Sequence, residues 1–217
     1  MITYNEVKEN EAIKEYIRRA DMSLTALGYT EHSFAHVGRV VAGVGYILTE
    51  LGYPEHDIEL AKIAAYMHDI GNLVNRVDHS QSGAIMSFRI LDKMGMPPSD
   101  IATVVTAIGN HDEGTGIPVN PIAAALILAD KSDVRRTRVR NADFSTFDIH
   151  DRVNYSVVSS ELSVKDGAIL LDIGIDTRYS AVMEYFEIFL NRMNLCRKAA
   201  ERLGQEFHLT INNQRLL

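Results

Sequence analysis

Hydrophobic positions in the first two-thirds of the chain recur at intervals of three and four residues, the period of a helix that buries one face. Residues 6–27 carry such a stripe in Val7, Ile13, Ile17, Met22, Leu24 and Leu27, set among charges and closed by Gly28. A second helix is expected over residues 33–51, with Phe34, Val37, Val40, Val41, Val44 and Leu48 on its apolar side and Gly52 as the stop. Pro54 opens a third, rich in Ala and Ile, over residues 57–67. A fourth runs from His79 to Met94 and is broken by Gly95-Met96-Pro97-Pro98. Ser99 or Asp100 caps a fifth that ends near Asn110. Pro121 starts a sixth whose run from Ile122 to Ala129 is apolar throughout. That run is too short to span a membrane and is expected to be buried.

The period changes near residue 150. Val153–Val164 and Ala168–Ile175 are β-branched, partly alternating runs joined at Lys165-Asp166-Gly167, which predicts a hairpin with an Asp-Gly turn. Residues 177–203 return to a helical stripe, Gly204 closes it, and Phe207–Ile211 reads as a last strand. The expected architecture is therefore mainly α: a helical domain over residues 1–148, with a small β-hairpin, helix and strand extension over 149–217 packed on it. The hairpin is expected to support either the bundle or a homodimer interface.

Composition narrows the function classes. A chain of 217 residues with 46% hydrophobic and 24% charged positions is an ordinary globular protein with room for a sizeable core. Its net charge of −7 argues against a protein that coats nucleic acid, although a bound cation could still attract a small phosphorylated substrate. Cys196 is the only cysteine, so no internal disulfide forms and a reducing compartment is expected. The first residues, Met1 to Glu6, have no basic head or apolar run, so the expectation is a cytoplasmic protein without a secretory leader or membrane association.

The candidate chemistry centres on Ala64-Ala65-Tyr66-Met67-His68-Asp69-Ile70-Gly71, where an apolar helix ends in an imidazole, a carboxylate and a glycine. Adjacent imidazole and carboxylate groups can serve one metal ion, and the second carboxylate oxygen can reach another. His36, read as lying mid-helix, precedes the pair, and His79, His111 and Asp130 follow it, each at or beside a helix end. Ligands placed so can converge at one end of a bundle.

These segments resemble the HD-domain metal-dependent phosphohydrolases. The resemblance rests on His36-Val-Gly-Arg39-Val40, His68-Asp69-Ile-Gly71, His79-Ser-Gln-Ser-Gly-Ala, Asn110-His111-Asp-Glu and Leu128-Ala-Asp130-Lys131-Ser-Asp133, about half of the chain. It implies one metal held by His36, His68, Asp69 and Asp130, and a second held with His79 and His111, with Asp69 bridging. Fe, Mn, Zn or Ni is expected, Mg being a further candidate. The implied activity is hydrolysis of a phosphate ester or anhydride, nucleotides included, by a metal-activated water. Two alternatives stand beside it: a dinuclear-iron oxygenase of the same fold, and a metal-stabilised ligand sensor without catalysis.

Other residues carry open readings. Lys131 is expected to neutralise a phosphate or to pair with a carboxylate. Arg135, Arg136, Arg138 and Arg140 form a basic cluster that is either a solvated face or a phosphate-recognising patch, with Arg135 and Arg138 on one face if the helix continues. Arg39 is expected to brace the ligands or touch substrate. His32, one turn before His36, is expected to contact a ligand or substrate more readily than a metal. His56, His150 and His208 are expected at the surface. No nucleophile elbow, phosphate loop or dinucleotide fingerprint is present.

Overall fold

The computed structural model describes residues 2–217. Among them the helices are α1 (Tyr4–Glu9), α2 (Glu11–Ala26), α3 (Phe34–Glu50), α4 (Glu55–Met67), α5 (His79–Lys93), α6 (Pro98–Gly109), α7 (Pro121–Ser132), α8 (Ile149–Ser156) and α9 (Val182–Arg202). The strands are β1 (Val157–Lys165), β2 (Ala168–Ile175), β3 (Glu206–Ile211) and β4 (Gln214–Arg215). Among the described residues no helix is long and apolar enough to cross a membrane.

Helix α7 is the axis of the bundle. Every residue from Ile122 to Lys131 is buried, and α3, α4, α6, α9 and β1 all pack against it. Small side chains make this possible. Gly43 of α3 meets α7 so closely that a Cβ there would stand 2.8 Å from the Ala129 Cβ. One continuous core runs from Val7 and Ile13 through α3, α4, α6 and α7 to Ile169, Tyr185, Phe189 and Leu209, so the C-terminal elements share the interior of the bundle.

The sheet has the order β1-β2-β3-β4, with β1/β2 and β3/β4 antiparallel and β2/β3 parallel. The parallel pair requires a long crossover, which α9 supplies. At the hairpin Lys165 pairs with Ala168, and Asp166 and Gly167 both take positive φ (51° and 81°), as a two-residue turn of the twist-matched kind demands.

Three expectations need correction. The first helix is two: the Asn10 side chain accepts from the Ala12 and Ile13 amides, so its backbone leaves the helix and caps a new one. Residues 149–156 are helical, and the strand begins only at Val157. The Asp148 carboxylate caps that turn through the Asp151 amide, and this local bond outweighs the β-branched content. The helix over 98–109 starts at Pro98 with Pro97 as cap, so neither Ser99 nor Asp100 is the cap residue.

Candidate metal centre

Successive helix ends deliver the candidate ligands. His36 lies in the first turn of α3, His68 and Asp69 follow α4, His79 opens α5, His111 follows α6, and Asp130 sits in the last turn of α7. All six are buried. The chain after Asp69 turns at once through a 3-10 segment, Ile70–Leu73, which packs against α5. Gly71 is what allows that approach: a Cβ there would fall 1.9 Å from the His79 carbonyl oxygen and 2.5 Å from the Gly83 nitrogen.

Each imidazole is oriented by its Nδ1. His36 Nδ1 lies 2.8 Å from Asp133 Oδ2, His68 Nδ1 2.8 Å from the Ala65 carbonyl, His79 Nδ1 3.1 Å from the Arg76 carbonyl, and His111 Nδ1 2.6 Å from the Ile108 carbonyl. A carbonyl or carboxylate only accepts, so in the neutral ring Nδ1 carries the proton and Nε2 presents a lone pair. All four Nε2 atoms point inward at the two carboxylates.

Asp69 divides them. Its Oδ2 stands 3.2 Å from His68 Nε2 and 3.8 Å from His36 Nε2; its Oδ1 stands 3.5 Å from His79 Nε2 and 3.9 Å from His111 Nε2. Asp130 Oδ1 completes the first group, 3.3 Å from His36 Nε2 and 3.8 Å from His68 Nε2. Two atoms that ligate one ion at about 2.1 Å stand roughly 3.0–3.4 Å apart at angles near tetrahedral or octahedral values. The shortest separations, 3.2 and 3.3 Å, fall in that range, and the others, 3.5–3.9 Å, lie just above it. Meanwhile the buried Nε2 atoms of His36 and His68 make no hydrogen bond. Nε2 of His79 and Nε2 of His111 face each other at 3.2 Å, two lone pairs that only a cation or a proton reconciles. The groups His36/His68/Asp130 and His68/Asp69/His111 could each hold a metal ion.

Protonation follows the same logic. Burial, then the charges of His68 and Lys131, push His111 down to about 3, so it is a free base at any ordinary pH. Burial also lowers His79. Burial opposes charge on His68, but the Asp69 and Asp130 carboxylates outweigh it and hold this imidazole above its ordinary value. A metal would replace that proton, because ligation requires the neutral ring. Asp69 and Asp130 are buried, which disfavours their charge, yet His68 beside the first and Lys131 beside the second hold both well below the usual carboxylate range. The donor set fits divalent metal.

The centre opens into a cavity of about 440 Å³. Lys131 lies inside, its Nζ 2.8 Å from Asp130 Oδ2 and 2.9 Å from Glu113 Oε2. Of the arginines singled out from the sequence, only Arg138 lines the cavity. Its Nε and Nη1 donate to the Glu31 and Asp133 carbonyls at 2.9 and 2.8 Å. Arg39 is 63% exposed, stands 3.9 Å from Asp133, and with Arg135 lines a separate depression. Arg135 is spent on Glu31 and Asp133. The reason is that α7 stops at Ser132 and Arg135 is extended, so no helix continues to put Arg135 and Arg138 on one face.

His32 also precedes its helix, which starts at Phe34, yet its ring meets that of His36 edge to face at 5.5 Å and lines the cavity. Burial holds it well below its ordinary value. His150, expected at the surface alone, is exposed but lines the cavity mouth. Sequence reasoning passed over Asp133 as a positioning group, and Glu113, Arg76 and Arg192 as lining groups. Asp133 had a signal, standing one turn beyond Asp130, but its partner His36 lies 97 positions away.

A bundle whose helix ends converge on four imidazoles and two carboxylates defines a helical metal-binding domain of the HD type. Residues 33–142, just over half of the chain, match the HD domain family, and the chain belongs to it. The family consists generally of metal-dependent phosphohydrolases. The chain is also similar to an uncharacterized protein of Methanocaldococcus jannaschii, 25% identical over 161 residues that cover 63% of this chain. It spans 61% of the length of that relative.

Proposed function

We propose that this protein is a phosphohydrolase that cleaves a phosphate ester or anhydride at a dinuclear metal centre, with nucleotides among its candidate substrates. The observation that carries the reading is the division of Asp69, one oxygen toward His36 and His68, the other toward His79 and His111. His36, His68, Asp69 and Asp130 would hold one ion; His79, His111 and Asp69 the other. When bound, such a pair supplies Lewis acidity that activates water and offsets charge on a phosphoryl group.

The protein's own groups prepare that chemistry. Burial opposes charge on Lys131, but Asp130 and Glu113 hold it above the ordinary lysine value. It therefore serves as a fixed cation beside the phosphoryl group, not as a proton donor. Arg138 is anchored by backbone carbonyls and adds a second fixed charge to the wall.

The test is elemental analysis of protein purified without chelator, beside a panel of phosphomonoesters, phosphodiesters and nucleotides. About two transition-metal ions per chain with metal-dependent phosphate release is the expected result. Two irons without phosphate release would move the assignment to oxygen activation, and a full metal complement with no turnover to a sensor.

Asp133→Asn supplies a separate check on ligand orientation. Removing the charge that fixes the His36 tautomer should weaken metal binding by roughly 10–100-fold, the cost usual for such supporting groups. A chelator competition titration reads this directly, and an unchanged affinity would refute the role of Asp133.

A further inference from the structure

Part of the cavity wall comes from beyond residue 142, and on it Arg192 of α9 stands apart. Its guanidinium lies over the Phe189 ring, 4.0 Å from the centroid, and Nη2 donates to Glu113 Oε1 at 3.2 Å. Its Nε is buried and finds no hydrogen-bond partner among the described residues. A guanidinium N–H left without an acceptor is costly to bury unless a ligand supplies one. The other cavity cations are already committed. Lys131 is held by Asp130 and Glu113, Arg138 by two carbonyls, and Arg76 donates to the Asn72 side chain.

Position adds to this. Glu113 accepts from Arg192 on one oxygen and faces Lys131 on the other, and Lys131 touches the ligand Asp130. The chain of contacts Asp130–Lys131–Glu113–Arg192 thus fixes Arg192 a few ångström-scale links from the metal centre. Nε–H and Nη2–H form one prong pair of the planar fork that matches phosphate oxygens.

We propose that Arg192 binds a phosphate oxygen of the substrate, so that α9 completes a recognition site which the HD segment alone leaves open. Glu113 is its positioning residue. This assignment rests on the phosphohydrolase reading for its substrate, but the binding of phosphate can be measured apart from turnover.

The experiment uses the full-length, metal-replete protein with inorganic phosphate as probe, by calorimetry, alongside KM and kcat for p-nitrophenyl phosphate. Arg192→Met should weaken phosphate binding by on the order of tenfold or more with metal content unchanged, as expected for loss of a charge-assisted bond. KM should rise more than kcat falls. Arg192→Lys should recover only part of the affinity, because it restores a charge but no fork. The double variant Glu113→Gln/Arg192→Met should bind phosphate as poorly as Arg192→Met, and it keeps the test open if the single variant leaves Glu113 unbalanced and misfolds. Restored wild-type affinity in the double variant would mean that Arg192 merely offsets Glu113, and would overturn the proposal. So would an affinity within twofold of wild type in Arg192→Met or Arg192→Lys, or a wild-type protein that does not bind phosphate. Wild-type protein that binds phosphate through Arg192 but hydrolyses no ester would instead sink the hydrolase reading and leave the binding site standing.

Discussion

Asp69→Ala is expected to lose metal and turnover in one step. In the proposed dinuclear centre both halves draw on this one carboxylate, so its removal would weaken both at once, whereas loss of a terminal ligand such as His79 would weaken one. Phosphate release should fall by about 10³ or more, some 4 kcal/mol of transition-state stabilisation, because without the bridge neither ion is held where it can act. Elemental analysis should find well under one ion per chain, while His79→Ala should retain about one. Turnover surviving in Asp69→Ala would be incompatible with a bridged pair.

The second large effect concerns a residue with no chemistry. Gly71→Ala would place a methyl group 1.9 Å from the His79 carbonyl oxygen and 2.5 Å from the Gly83 nitrogen, both backbone atoms that no side-chain rotation can move. Helix α5 must then shift, and His79 shifts with it. The expected cost is about 4 kcal/mol, at the severe end for single substitutions, and a fall in Tm of roughly 8–16 °C for a domain of this size. Gly38→Ala provides the contrast. Gly38 lies inside α3 and a Cβ there meets nothing within 4 Å, so the same substitution should stabilise by about 0.5–1 kcal/mol through helix propensity. Thermal unfolding of the metal-free proteins separates the two; equal Tm values would remove the packing account of Gly71.

Most helices and the six candidate ligands were legible because each announces itself locally. His68, Asp69 and Gly71 are consecutive or nearly so, His79 opens a helix, and Asp130 closes an apolar run whose burial follows from its composition. Arginines gave no such signal. Arg39, Arg135 and Arg138 are alike in the sequence, and which of them faces the cavity depends on where α7 ends and how the chain turns after Ser132. Glu113 and Arg192 meet across 79 positions, so their pairing exists only in the folded chain. The helix over residues 149–156 escaped for a different reason: one capping carboxylate, Asp148, overrode the preference of the β-branched positions that follow it.

Helix α7 bears on how such a protein can diversify. With ten consecutive buried residues and neighbours on every side, it offers no position where a larger or smaller side chain goes unnoticed. Asp130 and Lys131 ride on that rigid shaft, so the reactive end of the cleft is tied to the stability of the whole molecule. Part of its rim is not, since Asp148, His150 and Asp151 sit on or beside a short helix capped from its own loop. Substitutions there can alter what enters the cleft while the shaft keeps its register. Lineages carrying this scaffold should therefore drift in ligand preference at the rim long before they drift in chemistry.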